Sequence, residues 1–310
     1  MTQREIETLK SALKGCSLCG RRCGTDRTGS NRGPCGAGLL PRVARWLPHM
    51  GEEPPLVGDK GSGTMFFSGC SLRCVFCQNF AISQEGRGRE VSIERLTEIA
   101  LELEGQGCHN INLVSPTHYA PQIALALTAA RNRGLGVPVV YNTHGYDSPE
   151  ALAWMRGKVD VYLADAKYAD DREAERFSGV TGYLKVNREA LRVMFAQVGH
   201  FQEDPRSGLA SRGLLVRILV LPESLEGART SLLYLKREFS TELSVSLMAQ
   251  YVPMFKAGAY PPLDRGLAVS EYDEVVDFAM KLGFKRLWLQ EPAAAHVGVP
   301  DFEAAVPFTF

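Results

Sequence analysis

From residue 65 onward, short apolar runs alternate with helical patterns, and this alternation constrains the fold more than any other feature of the chain. The runs at 65–67, 110–115, 137–142, 159–165, 214–221 and 244–252 have the length and composition of buried strands, with a seventh at 286–289. Between them lie helical segments with local start and stop signals. Ser92 can cap a helix that places Ile93, Leu96, Ile99 and Leu103 on one face and stops at Gly105. Pro121 opens another that runs to Gly134, and a third begins near Ser148-Pro149. Further helical patterns fall at 170–177, 187–197, 225–239 and 270–282, and the polar stretch 200–213 reads as a surface insertion. Repeated strand–helix units imply a parallel sheet covered by helices, here a partial (β/α)6 TIM-like barrel. In such a fold, chemistry collects at the C-terminal ends of the strands.

The first of those ends carries the strongest motif. Gly69 closes the run Met65-Phe66-Phe67, and Cys70, Cys74 and Cys77 follow in the spacing C-x3-C-x2-C. One tight loop with three thiolates can wrap a cubane-sized object, and soft thiolates suit iron–sulfur clusters and zinc. Zinc would need a fourth ligand such as Cys108 or Cys35. The strand before the loop and the strand–helix pattern after it favour a cluster with one iron left open.

A second group lies upstream. A short helix at 4–14, with Ile6, Leu9 and Leu13 on one face, leads into Cys16, Cys19, Cys23 and Cys35, set among glycines that can turn backbone N–H groups toward sulfur. Four cysteines in about twenty residues point to one metal centre, and the spacing leaves zinc and a second [4Fe-4S] cluster both open. Seven basic residues against Asp26 alone between Lys14 and Arg45 read as compensation for ligated thiolates rather than as a docking face for an acidic partner. A bridge, 41–63, holds His49, Glu52 and Glu53, which either serve a site or are solvated. The expected organisation is a Cys-rich segment and linker at 1–62, the barrel at 63–290 and a tail at 291–310.

Bulk properties exclude several classes. The 310 residues carry no net charge, so nothing global indicates nucleic acid. No apolar run of about eighteen residues occurs and the N-terminus has no apolar signal core, which leads to an expectation of no membrane partner and a cytoplasmic location. Eight cysteines then read as metal ligands rather than disulfides.

At the remaining strand ends stand Ser115-Pro116-Thr117-His118, Asn142-Thr143-His144, Asp165-Ala166-Lys167 and Gln250-Tyr251. Arg217 interrupts an apolar strand, where an inward guanidinium demands an anionic partner.

The stretch Ser68-Gly-Cys-Ser-Leu-Arg-Cys-Val-Phe-Cys-Gln-Asn79 resembles the radical S-adenosylmethionine (SAM) superfamily, and within it the pyruvate formate-lyase activating enzyme and its uncharacterised relatives, over roughly residues 63–256. The resemblance implies that Cys70, Cys74 and Cys77 hold a [4Fe-4S] cluster and that Phe76 lies against adenine. At the second strand's end, where that group has Gly-Gly-Glu for the SAM amino group, this chain has Ser115, Thr117 and His118. Asn142 and Thr143 stand at its Asp-Thr, and Asp165 and Lys167 at its Asp-Leu-Lys. Arg217 stands at an arginine that helps bind SAM, which makes the SAM carboxylate its expected partner, with Asp165 as the structural alternative. The function implied is reductive cleavage of SAM to a 5′-deoxyadenosyl radical that takes hydrogen from a substrate. The substrate class stays open among a small molecule, a peptide and a partner protein, and the reductant would be a flavodoxin or ferredoxin. A glycyl-radical activase is one alternative, weakened because the extra cysteines precede the loop. A non-catalytic iron–sulfur or zinc protein is the other, and the polar strand ends argue against it.

Overall fold

In a computed structural model, the structure is described for residues 2–291, 300–302, 304, 307 and 308. The first elements are α1 (Gln3–Lys14), β1 (Arg42–His49), the single turn α2 (Pro54–Val57) and β2 (Ser62–Phe67). The short α3 (Phe80–Ser83) and β3 (Arg89–Glu90) precede α4 (Ile93–Gly105) and β4 (Ile111–Val114). Next come α5 (Ala120–Asn132), β5 (Val139–Thr143), α6 (Pro149–Met155), β6 (Val161–Asp165), α7 (Asp171–Ser178) and α8 (Tyr183–Val198). The chain continues through β7 (Gln202–Glu203), β8 (Ala210–Leu219), α9 (Leu225–Phe239), β9 (Ser244–Met248), α10 (Val269–Leu282) and β10 (Arg286–Leu289).

The sheet order is β10-β9-β8-β6-β5-β4-β2-β1-β3, and every pairing from β2 through β10 along that path is parallel. The fold is thus the partial TIM-like barrel expected, with β10 extending it on one edge. Local signals behave as read: the Ser92 hydroxyl accepts from Arg95 N–H at 3.0 Å and that of Ser148 from Ala151 N–H at 3.2 Å. Helix faces and the outward sides of the strands form one apolar core, from Leu13 and Ile99 through Tyr141 and Leu191 to Val275.

Several elements differ from expectation. The bridge 41–63 is not a plain linker, because β1 pairs antiparallel with β2 along its length. Only Val43 and His49 of β1 are buried, so the strand lacks an apolar alternation and is recruited through its backbone. Pro48, which has no N–H to donate, lies beyond the two β1 residues that β3 pairs. The insertion at 200–213 instead begins β8 and folds back on it through β7. β9 stops at Met248, because Ala249 N–H donates to the Gln290 side chain at 3.0 Å and the chain turns across the barrel mouth. Inside the barrel, Leu56 of α2 packs against Val140, Val161, Leu163 and Leu215, which closes the lower end.

Candidate functional site

The cysteine loop leaves β2 at Gly69, whose φ of +83° lies in the left-handed region. Backbone bonds then tie the loop on all sides. Gly69 N–H donates to Ile82 O at 2.9 Å, Cys70 N–H to Cys35 O at 3.2 Å, and Val75 N–H to Phe177 O at 2.8 Å. Cys70, Cys74 and Cys77 all line a cavity of about 630 Å3 at the C-terminal mouth of the barrel. The Ser178 hydroxyl donates to Cys74 Sγ at 2.9 Å and itself accepts from Tyr168 at 2.5 Å, while Ser83 Oγ lies 3.2 Å from Cys77 Sγ. Burial, and next the neighbouring thiols Cys74 and Cys77, push the Cys70 thiol well above its ordinary value. Burial and Cys74 push Cys77 up to about 11. Ionisation of Cys70 and Cys77 is thus opposed, and a cation bound among the three sulfurs, as in an iron–sulfur core, would favour the thiolate forms. Nearby, burial disfavours the Lys167 ammonium, but Asp165 at 2.8 Å and then Cys74 outweigh it and hold the ammonium above its ordinary value.

Phe76 is buried in the cavity wall, edge-on to Tyr251 with ring centroids 5.9 Å apart. Ser115, Asn142, Thr143, His144, Asp165 and Arg217 share that wall with the cysteines. Ser115 adopts φ +56°, unusual for a residue with a side chain. His144 accepts from Tyr146 N–H at Nδ1, 3.1 Å, so its proton is on Nε2, which faces the Ser71 hydroxyl at 2.9 Å. Burial and then Lys167 lower its pKa to about 3, so it is neutral.

Thr117 and His118 do not reach the cavity. Thr117 is buried behind Thr143, and its hydroxyl donates to Asp147 at 2.7 Å. His118 donates from Nε2 to the Ser68 carbonyl at 2.9 Å, and burial pulls its pKa to about 3. Asp147 also accepts from Tyr141 at 2.9 Å and Thr143 at 2.5 Å, so one buried carboxylate braces the ends of two strands. Sequence reasoning missed it, since an aspartate just before a capped helix looks like ordinary turn chemistry.

Arg217 finds anionic partners within the chain, and not at Asp165, the structural alternative, which pairs with Lys167. Glu53 accepts from Arg217 Nε at 2.8 Å and from Nη2 at 2.5 Å, and Glu52 also accepts from Nη2. The side chains of Glu52, Glu53 and Arg217 are only 6%, 7% and 12% exposed. Asn112 donates to Glu52 at 2.7 Å and Asn142 does so at 3.4 Å. Burial raises the Glu52 pKa, but Arg217 reverses the direction and holds it below its ordinary value. The two glutamates ride on the turn before α2, which brings the bridge segment into the barrel.

The upstream cysteines also come together. Cys16, Cys19 and Cys35 are buried and Cys23 is exposed. Wholly buried Arg27 places Nη1 3.4 Å from Cys16 Sγ. Thr25 Oγ1 donates to Cys23 Sγ at 3.3 Å, and a Cβ on Gly33 would lie 3.4 Å from Cys35 Sγ and 3.7 Å from Cys23 Sγ. Burial, reinforced by the other three thiols, pushes Cys19 up to about 12. Among the described residues, no three His, Cys, Asp or Glu side chains are drawn as close as a single bound ion requires. Cys108 is buried in the main core, apart from both sets. No helix among the described residues is long and apolar enough to cross a membrane.

Residues 64–197 match the family model described as the radical SAM superfamily. The chain is 29% identical over 286 residues to the uncharacterized protein MJ0674 of Methanocaldococcus jannaschii, covering 89% of this chain and 78% of that protein. Among solved structures, SuiB of Streptococcus suis bound to its precursor peptide SuiA is similar at TM-score 0.47 and 12% identity, over 73% of this chain and 48% of SuiB. The FeFe-hydrogenase maturase HydG of Carboxydothermus hydrogenoformans is similar at TM-score 0.44 and 12% identity, over 73% of this chain and 53% of HydG. The chain thus spans about half the length of these solved structures.

Proposed function

We propose, from the match of residues 64–197 to the radical SAM family model, that the chain is a radical SAM enzyme whose substrate is held inside the barrel. The observation that carries this reading is the convergence of Cys70, Cys74 and Cys77 on one cavity at the C-terminal mouth of a parallel barrel. These three thiolates would hold a [4Fe-4S] cluster. When bound, such a cluster supplies one electron to the SAM sulfonium, giving methionine and a 5′-deoxyadenosyl radical able to take a hydrogen atom. The chain's own residues do the rest. Ser178 and Ser83 hydrogen-bond to two of the sulfurs, and Lys167 offsets thiolate charge. Phe76 and Tyr251 offer an aromatic edge to adenine, and Ser115, Asn142 and Thr143 give the wall polar groups. Thr143 is held in place by Asp147, so its part is to position the strand end. The test is anaerobic incubation with dithionite and SAM. The reconstituted protein should release 5′-deoxyadenosine, and Cys74→Ala should lose both this activity and cluster absorption. Wild-type protein that carries iron and binds SAM without cleaving it would point to a carrier instead.

Cys16, Cys19, Cys23 and Cys35 are proposed to form a second centre, an auxiliary [4Fe-4S] cluster rather than zinc. Tetrahedral zinc draws its sulfurs to 2.3 Å or so from one ion, roughly, whereas a cubane spreads them over its corners. The four thiols are near enough to raise the Cys19 pKa together. Cys35 O meets Cys70 N–H, so the two centres would lie side by side, and the second could pass electrons from a flavodoxin or ferredoxin to the first.

A further inference from the structure

Building on the reading of this cavity as a radical SAM substrate chamber, we propose that its floor is a subsite for a cationic nitrogen of the substrate, an ammonium or guanidinium group. Among the described residues, the charged side chains lining the cavity are the carboxylates Glu52, Glu53, Asp165 and Glu291 against the cations Lys167 and Arg217. Lys167 and Asp165 satisfy each other at 2.8 Å. Arg217 is left to serve both Glu52 and Glu53, two buried carboxylates on one guanidinium. A buried anion without a full countercharge is expensive, and a site that keeps one is prepared for a positive ligand. His49 also stands beside Glu52, and burial, the largest influence on it, favours its neutral form.

The hydrogen-bond inventory points the same way. Asn112 is fully buried and donates its amide hydrogens to Glu52 at 2.7 Å and Thr64 Oγ1 at 3.4 Å. Among the described residues, nothing donates to its Oδ1. Asn112 lies behind Glu52, and a positively charged donor would answer both the excess carboxylate charge and this open acceptor. SAM is not the natural occupant of this spot. SAM would be held beside Cys70, Cys74 and Cys77, whereas Asn112 lies two residues back along β4 from Val114 of the wall, about 6.5 Å deeper in the barrel. A cation seated on Glu52 and Glu53 would hold a substrate with its other end toward the cysteine loop. The group could come from a free amine or from a lysine or arginine side chain of a peptide.

The experiment titrates the reconstituted, SAM-loaded enzyme calorimetrically with n-butylammonium, n-butylguanidinium, n-butanol and butyrate, and with a blocked tripeptide containing one lysine. The cations should bind at least tenfold more tightly than butanol, and butyrate should not bind. Glu53→Gln should abolish the preference for cations without changing butanol binding. Tighter binding of the tripeptide than of n-butylammonium would identify the source as a peptide, and the reverse a free amine. Equal binding of cation and alcohol by the wild type overturns the proposal whether or not the variant folds, and reduces Glu52, Glu53 and Arg217 to a closed structural ion cluster. Release of 5′-deoxyadenosine without any cation preference would refute this subsite alone, whereas failure to cleave SAM would refute the underlying function.

Discussion

Replacing Arg217 with methionine should reverse the pH dependence that the barrel floor contributes to stability. In the native protein, burial raises the Glu52 carboxyl, but the charge of Arg217, then that of His49, and its bonds to Arg217 and Asn112 outweigh it. The folded-state pKa therefore lies below the ordinary 4.5, so this stabilisation is complete above that value and is lost as pH falls through the folded pKa. In Arg217→Met, the largest lowering cause is gone and burial remains. Glu52, with Glu53 beside it, then prefers to be protonated in the folded chain, and stability is lost as pH rises through the raised pKa. Removing one partner from a buried ion pair costs about 3–5 kcal/mol, because a charge is left uncompensated. Protonation relieves part of that cost, by up to about 1.4 kcal/mol per pH unit for each proton taken up. Urea unfolding followed by tryptophan fluorescence, run on wild type and variant in parallel from pH 5.5 to 8, measures this. The deficit should be largest at pH 8 and shrink steadily toward pH 5.5. Adding Glu53→Gln to the variant should recover part of the stability at pH 8. A deficit under about 1 kcal/mol, or one independent of pH, would show that the carboxylates are hydrated and would refute the reasoning.

Two further outcomes test the cysteine regions. Gly69→Ala should destabilise by more than about 1–2 kcal/mol and reduce iron loading, since φ is +83° and the added Cβ would overlap the Cys35 carbonyl that accepts from Cys70. Gly24→Ala, with φ +65° but open space around it, should cost only the conformational share, and equal effects of the two on urea midpoints would remove the steric argument. A variant lacking Cys70, Cys74 and Cys77 should retain about four irons per chain at the upstream site, and stoichiometric zinc on metal analysis would instead make that site a fold staple.

What the sequence determined by itself is local. Strand and helix periods, the Ser92 and Ser148 caps and the C-x3-C-x2-C spacing act over a few residues, so the barrel and its cysteine loop were legible before any coordinates. Phe76 and Asp165 could be placed for the same reason, because a residue at a strand end inherits its position from the strand. Tertiary structure decided everything that depends on which distant segments meet. Thr117 and His118 occupy a strand-end turn yet face away from the cavity, because the turn into α5 directs them toward Asp147 and Ser68. β1 has no apolar alternation to announce it and exists because β2 offers a free edge. Arg217 announced that it needed an anion, but Glu52 lies 165 residues away in a stretch that reads as a linker. Only the passage of that linker into the barrel brings a glutamate pair to it, because burying a charge sets a requirement for compensation without naming the group that meets it.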